Sequence, residues 1–284
     1  TRSNPGFQST GYGVLDCGAL LWHLQNRNII DILGTAYYYP VLPLIPRADR
    51  EEHLRRWQGI ARHLFWRESF DGFWPPEMGF SMELIPLLKQ LGYSYVLVDS
   101  EHVQPVTPMS EHERLYRPHV ARHGDAEIIV IVRDRSLSDA MASGMDYVWF
   151  VKELAQRTEG CDYPALVTTC CDGENGAWFR NTNNDANFWG GFYRDLLEAA
   201  RNDGAVQPTF IRDYLDLYGA HGEVTVNTGA WNTEWHNGKD FGQWAGTPVQ
   251  NETLQRLEEV SHTVHHAMLE AGDRELGGQE EAVL

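Results

Sequence analysis

Two periodicities alternate along this chain. "VLDCGALLWHLQNRN" sets its apolar residues at helical spacing and runs into "IIDILGTAYYYPVLPLIP", which is apolar and β-rich. "DREEHLRRWQGIARHLF" follows, with Leu54, Trp57, Ile60, Ala61 and Leu64 on one helical stripe, the pattern of a face packed on a core. A short strand is expected at 71–74. A helix should then run from Ser81 to Leu91, with Ser81 as N-cap, Glu83 in the first turn and Gly92 as the stop. "YSYVLVD", "AEIIVIV" (126–132) and "ALVTTCC" (165–171) string together β-branched and aromatic residues, as parallel strands buried on both faces do. Phe188, Trp189, Phe192, Leu196 and Ala200 recur at helical spacing ahead of Gly204. "EVTVN" is a last short strand, and 251–271 a last helix before the polar tail "GGQEEAVL".

Alternating strands and helices predict an α/β protein with a mainly parallel sheet and helices outside it. About six strands suggest a β/α barrel, incomplete-looking, over residues 1–248, with the C-terminal helix and tail at 249–284. A doubly wound sheet is the alternative, but neither G-x-G-x-x-G nor G-x-x-x-x-G-K occurs.

Charge narrows the partners. The formal net charge of −17 argues against nucleic acid, since little here would replace counterions on a phosphate backbone. No apolar run reaches the roughly 20 residues of a membrane span. No secretory-signal pattern is present, which points to a cytoplasmic location, although the chain starts at Thr1. Three lysines stand against twenty arginines; a salt-rich cytoplasm and GC-rich coding both account for that. Cys17, Cys161, Cys170 and Cys171 form no C-x-x-C pair and read as reduced thiols. His262, His265 and His266 lie on the last helix without a carboxylate at ligand spacing, so neither metal nor cofactor is expected.

In β/α barrels the site lies at the carboxyl ends of the strands. Glu77, Asp99, Asp134 and the pair Asp172/Glu174 fall at such ends, among Trp74, Trp178, Trp231, Trp235 and Trp244. Flat rings suit sugar C–H faces, and paired carboxylates suit glycosidic cleavage, one protonating the leaving oxygen while the other stabilises or attacks the developing cation. Polar rims and helix caps also place Asp and Glu at strand ends.

"GTAYYYPVLPLIPRADREEHLRRW", "GFWPPEMGFSMELIPLLKQLGYSYVLVDSEHV", "VRDRSLSDAM", "TTCCDGENGAWF" and "GAWNTEWHNGKDFGQWAG" follow one another in an order and spacing that resemble glycoside hydrolase family 57 over residues 28–250. That resemblance implies a (β/α)7-type barrel and α-amylase, 4-α-glucanotransferase or branching activity on α-glucans by a retaining mechanism. Position by position, the W-x-x-E element implies Glu77 as nucleophile, and the D-x-E element Asp172 as general acid/base. Glu174 would raise the proton affinity of Asp172 by like-charge proximity. The resemblance further implies substrate contacts at Asp99 and His102, from Arg133 and Asp134 of the R-D-x-x-L-S-D element, and from Trp74, Trp178, Trp231, Trp235 and Tyr39. Ser138 and Asp139 of that element also suit an N-cap.

The pattern has departures. The family's amino-terminal His-Gln-Pro is absent, Asp31 stands where a Glu is usual, and Tyr39 stands where His or Glu often precedes the proline. A first strand is therefore expected to be missing, to be completed by an upstream segment or a partner chain. A non-catalytic carbohydrate-binding barrel is the alternative to the enzyme.

Overall fold

The computed structural model describes residues 16–173, 188–202, 206–233 and 240–271. Six strands appear among them: β1 (Gly72–Phe73), β2 (Tyr95–Asp99), β3 (Val103–Pro105), β4 (His119–His123), β5 (Ala126–Arg133) and β6 (Val224–Val226); the first five α-helices are α1 (Cys17–Asn26), α2 (Arg47–Phe65), α3 (Ile85–Gln90), α4 (Glu111–Tyr116) and α5 (Arg135–Ala142). β1, β2 and β5 pair in parallel, and β4 closes that sheet antiparallel to β5. Single parallel bridges, Gly34 to Phe73 and Arg133 to Thr168, extend the array on both sides. Read across the sheet, the parallel chain passes through 34, 72, 95, 129 and 168 without reversal. A doubly wound sheet would reverse at a switch point. Among the described residues the sheet is open.

Strand alternation assigns the two faces. Phe73, Val96, Val98, Val130 and Val132 point outward and pack against Leu54 and Ala61 of α2 (Arg47–Phe65) and Ile85 and Leu88 of α3 (Ile85–Gln90). Tyr95, Leu97 and Ile131 point the other way, onto Met78, Leu166, Tyr214 and Trp231. Asp99 and Arg133 continue this inward series and face each other in the β2–β5 register. Inward parity at the carboxyl end is what makes them candidates for a site.

Several expected elements changed. The helix expected from Ser81 begins with a 3₁₀ turn at Met82–Leu84; Ser81 makes no capping bond, and Pro86 sits in the first turn of α3 instead. "ALVTTCC" contributes only the Thr168 bridge. "EVTVN" supplies β6, which pairs antiparallel with β3 rather than joining the parallel array. The cap of α5 (Arg135–Ala142) is Asp134, whose carboxylate accepts the Leu137 amide at 3.0 Å, so Ser138 and Asp139 lie inside that helix. No helix of the described residues is long and apolar enough to cross a membrane.

Candidate active site

Chain stiffness makes the first wall. Trp74 leaves β1, Pro75 stays extended, and a 3₁₀ turn spans Pro76–Met78. Glu77 and Met78 both hold left-handed backbone, at φ 57° and 50°. Such a conformation costs a non-glycine residue on the order of 1–3 kcal/mol. The neighbourhood enforces it. The Met78 side chain is buried in the inner core, Phe80 and Gly229 exchange backbone hydrogen bonds of 2.9 and 3.1 Å, and the Trp231 amide donates to the Glu77 carbonyl at 3.1 Å. Trp231 Nε1 also donates to Glu77 Oε2 at 2.9 Å. The carboxylate is thereby turned to the half-buried rim by the segment across from it.

Trp74 meets the Trp231 ring edge-on at 5.4 Å and donates from its own Nε1 to the Tyr39 hydroxyl at 3.0 Å. The Glu77 amide reaches the same oxygen at 3.5 Å. Burial, with the Glu77 and Asp172 carboxylates adding to it, holds the Tyr39 hydroxyl above its ordinary pKa against the lowering effect of the two N–H donors.

Arg133 anchors the segment just before Asp172. The Arg133 guanidinium donates to Asp99 Oδ2 at 2.8 Å, Asp139 Oδ1 at 2.7 Å and the Cys170 carbonyl at 3.1 Å, and lies 5.5 Å from the Trp231 ring centre. Ser138 Oγ receives the Cys170 amide at 3.1 Å. The segment leading to Asp172 is thus tied at Cys170 to side chains of β5 and α5. Burial pushes the Cys170 thiol up to about 12, so it stays protonated.

The remaining expected residues sort by depth. Asp99, His102, Arg133 and Asp134 are at most 3% exposed and turned to protein partners. Asp99 takes the Glu101 amide at 3.1 Å besides Arg133. His102 Nε2 bonds the Ala230 carbonyl at 2.8 Å, and its ring lies flush against Gly229. Asp134 joins the Tyr116 hydroxyl at 3.0 Å to Arg157 at 3.0 Å. Trp231 was expected as a stacking surface; its ring is 4% exposed, and its distinct contribution is the N–H on Glu77. Thr233, which bonds both His102 and Ala230, escaped the sequence reading because nothing marks a lone threonine. Asp31 is ion-paired with Arg67 at 2.7 Å and Arg212 at 3.4 Å. Glu174, Trp178 and Trp235 lie outside the described residues. Among the described residues no group of three His, Cys, Asp or Glu converges to hold a metal.

Comparison with known proteins gives this arrangement its relatives. The chain is 33% identical over 120 residues to an alpha-amylase of Pyrococcus furiosus, covering 42% of this chain and 18% of that protein. It is 31% identical over 118 residues to a 4-alpha-glucanotransferase of Thermococcus kodakarensis, again 42% and 18%. The chain thus spans less than a fifth of the length of these curated relatives. Among solved structures, a branching enzyme of Thermococcus kodakaraensis superposes with a TM-score of 0.65 at 14% identity, over 86% of this chain and 56% of that one. A 4-alpha-glucanotransferase of Thermococcus litoralis gives 0.61 at 24% identity, over 76% and 31%. At these identities the superpositions show a shared fold. Residues 19–227 match the model of glycosyl hydrolase family 57, and the chain belongs to that family.

Proposed function

We propose that this chain carries the catalytic centre of a retaining glycoside hydrolase or transglycosylase acting on α-linked glucose polymers. Glu77 attacks the anomeric carbon, its carboxylate oriented by the Trp231 N–H. Asp172 protonates the departing glycosidic oxygen, then activates water or an acceptor sugar hydroxyl for the second displacement. The nucleophile and the acid/base of a retaining pair stand about 5–5.5 Å apart. The observation that carries the reading is that Trp231 links the two segments: its N–H holds the Glu77 carboxylate, and its ring lies 5.5 Å from the Arg133 guanidinium that anchors the Cys170 carbonyl just before Asp172. The relatives' names supply the substrate class: alpha-amylase, 4-alpha-glucanotransferase and branching enzyme. The unreversed strand order supports reading the open sheet as an arc of a (β/α)7-type barrel, its ring completed by strands beyond the described ones.

Turnover of maltooligosaccharides or amylose by the wild type, Glu77→Gln and Asp172→Asn tests the proposal. The wild type should exceed both variants by at least about a thousandfold, as loss of a nucleophile or of acid catalysis to a poor leaving group implies. A wild type no faster than the variants removes the catalytic reading. Saturable maltooligosaccharide binding without turnover would replace it with a holding function.

A further inference from the structure

The imidazole of His102 is 3% exposed, and its Nε2 lies 2.8 Å from the Ala230 carbonyl oxygen. A carbonyl only accepts, so Nε2 carries a proton and donates it there. Thr233 Oγ1 donates to the same oxygen at 2.8 Å and stands 3.3 Å from His102 Nε2. Both lone pairs of the Ala230 oxygen are therefore engaged, each by a buried side chain. Thr233 is brought back to Ala230 across Asn232, which holds left-handed backbone at φ 55°. His102 is itself fixed in place. Asp99 caps the 3₁₀ turn Ser100–His102 by accepting the Glu101 amide, and the Asn227 amide donates to the His102 carbonyl at 2.8 Å.

The planarity of one peptide unit carries this clamp to Glu77. The Ala230 carbonyl and the Trp231 amide are the two edges of a single trans peptide, and they point to opposite sides. His102 and Thr233 hold one edge; the other edge donates to the Glu77 carbonyl at 3.1 Å. The Trp231 side chain then brings Nε1 to Glu77 Oε2 at 2.9 Å. Residue 231 thus grips Glu77 at both its main chain and its carboxylate. Glu77 sits on left-handed backbone, which a glutamate keeps only where its surroundings hold it.

We infer that His102 is a positioning residue for the nucleophile. It acts through the 230–231 peptide, together with Thr233, to aim the two Trp231 donors at Glu77, and it does not contact the sugar. The inference rests on the catalytic reading above.

The test combines kinetics on a maltooligosaccharide with the indole N–H magnetic resonance signals of protein carrying isotope-labelled tryptophan. Of the ten tryptophans, Trp231 is identified by the signal lost in Trp231→Phe. Glu77→Gln, which replaces the carboxylate by a neutral acceptor, shows where that signal goes when the bond weakens. His102→Leu removes the donor to Ala230 and should move the signal in the same direction. kcat should fall about tenfold, with KM within about twofold, because the sugar loses no contact. His102→Gln restores an N–H near the Nε2 position and should recover most of both effects. Thr233→Val removes the other donor at nearly constant volume. It should move the signal by less, and it decides the matter if His102→Leu does not fold. An active wild type whose Trp231 signal and kcat are matched by the folded variant overturns the His102 inference and leaves the catalytic reading standing. A raised KM at unchanged kcat also overturns it, because His102 then belongs to the sugar. A wild type no faster than Glu77→Gln removes both.

Discussion

Trp231 illustrates what a single residue does here that its type does not announce. An indole beside two carboxylates suggests a stacking platform, yet the ring is packed between Trp74 and Arg133, and its N–H points at Glu77. Trp231→Phe keeps most of the buried ring and removes only the donor. We expect kcat to fall about ten- to a hundredfold, as for other donors aimed at a reacting group, while the melting temperature shifts by only a few degrees. Equal kcat in a folded variant would mean that the bond is incidental. The identities of Glu77 and Asp172 as candidates were legible in the sequence. Their supports were not, because Trp231 and Tyr39 reach Glu77, and Arg133 and Ser138 reach the segment before Asp172, from positions far along the chain, and spacing says nothing of such contacts. Asp134 shows the opposite error of emphasis. It looks like a rim acid, but as the cap of α5 and the partner of Tyr116 and Arg157 its carboxylate is fully engaged within the fold.

Among elements, β2 and β5 were legible because each is a long apolar run, and α2 because its apolar positions recur at helical spacing. Ile60 and Leu64 of that stripe are nonetheless exposed, while Arg50 and Gln58 are buried with Leu54 and Ala61. β4 was not. "HVARH" has no apolar run to mark it, although the Gly124-Asp125 pair after it is a two-residue hairpin signal and its pairing with β5 is antiparallel. "ALVTTCC" has the composition of a strand but lies at the margin, where the Cys170 amide and carbonyl go to Ser138 and Arg133 side chains. The segment 229–231 is the least expected structural part. It pairs with Phe80 and carries Trp231 to Glu77, and it lies flush with the buried His102 only because residue 229 has no side chain. A Cβ on Gly229 would come within 2.4 Å of His102 Cε1. Gly229→Ala must displace the imidazole or the segment. We expect a loss of about 1–3 kcal/mol in urea unfolding, as overpacking of a filled site gives, together with reduced turnover through the misplaced Trp231. Unchanged stability and turnover would show that this contact does not hold the segment.

Across the whole molecule, the same side chains hold the fold and frame the site. Arg133 at the end of β5, Arg135 at the start of α5, Arg157, Arg67 and Arg212 each bridge separate segments through carboxylates. A planar fork with several donors can do this, whereas a lysine point charge cannot, so part of the arginine-rich, lysine-poor composition has a structural cause. The order of motifs was legible from one end of the chain to the other. Strand pairing was not, since pairings between distant strands leave no mark in local spacing. The account stands on Glu77 being the atom donor to a covalent glycosyl intermediate. Incubation with a fluorinated α-maltosyl fluoride, which forms that intermediate faster than it is hydrolysed, followed by proteolysis and mass spectrometry, reads it directly. The account predicts one glycosyl unit on the peptide containing Glu77, attached at that residue and absent in Glu77→Gln; a label on any other carboxylate, or none on an enzyme that turns over maltooligosaccharide, would contradict it.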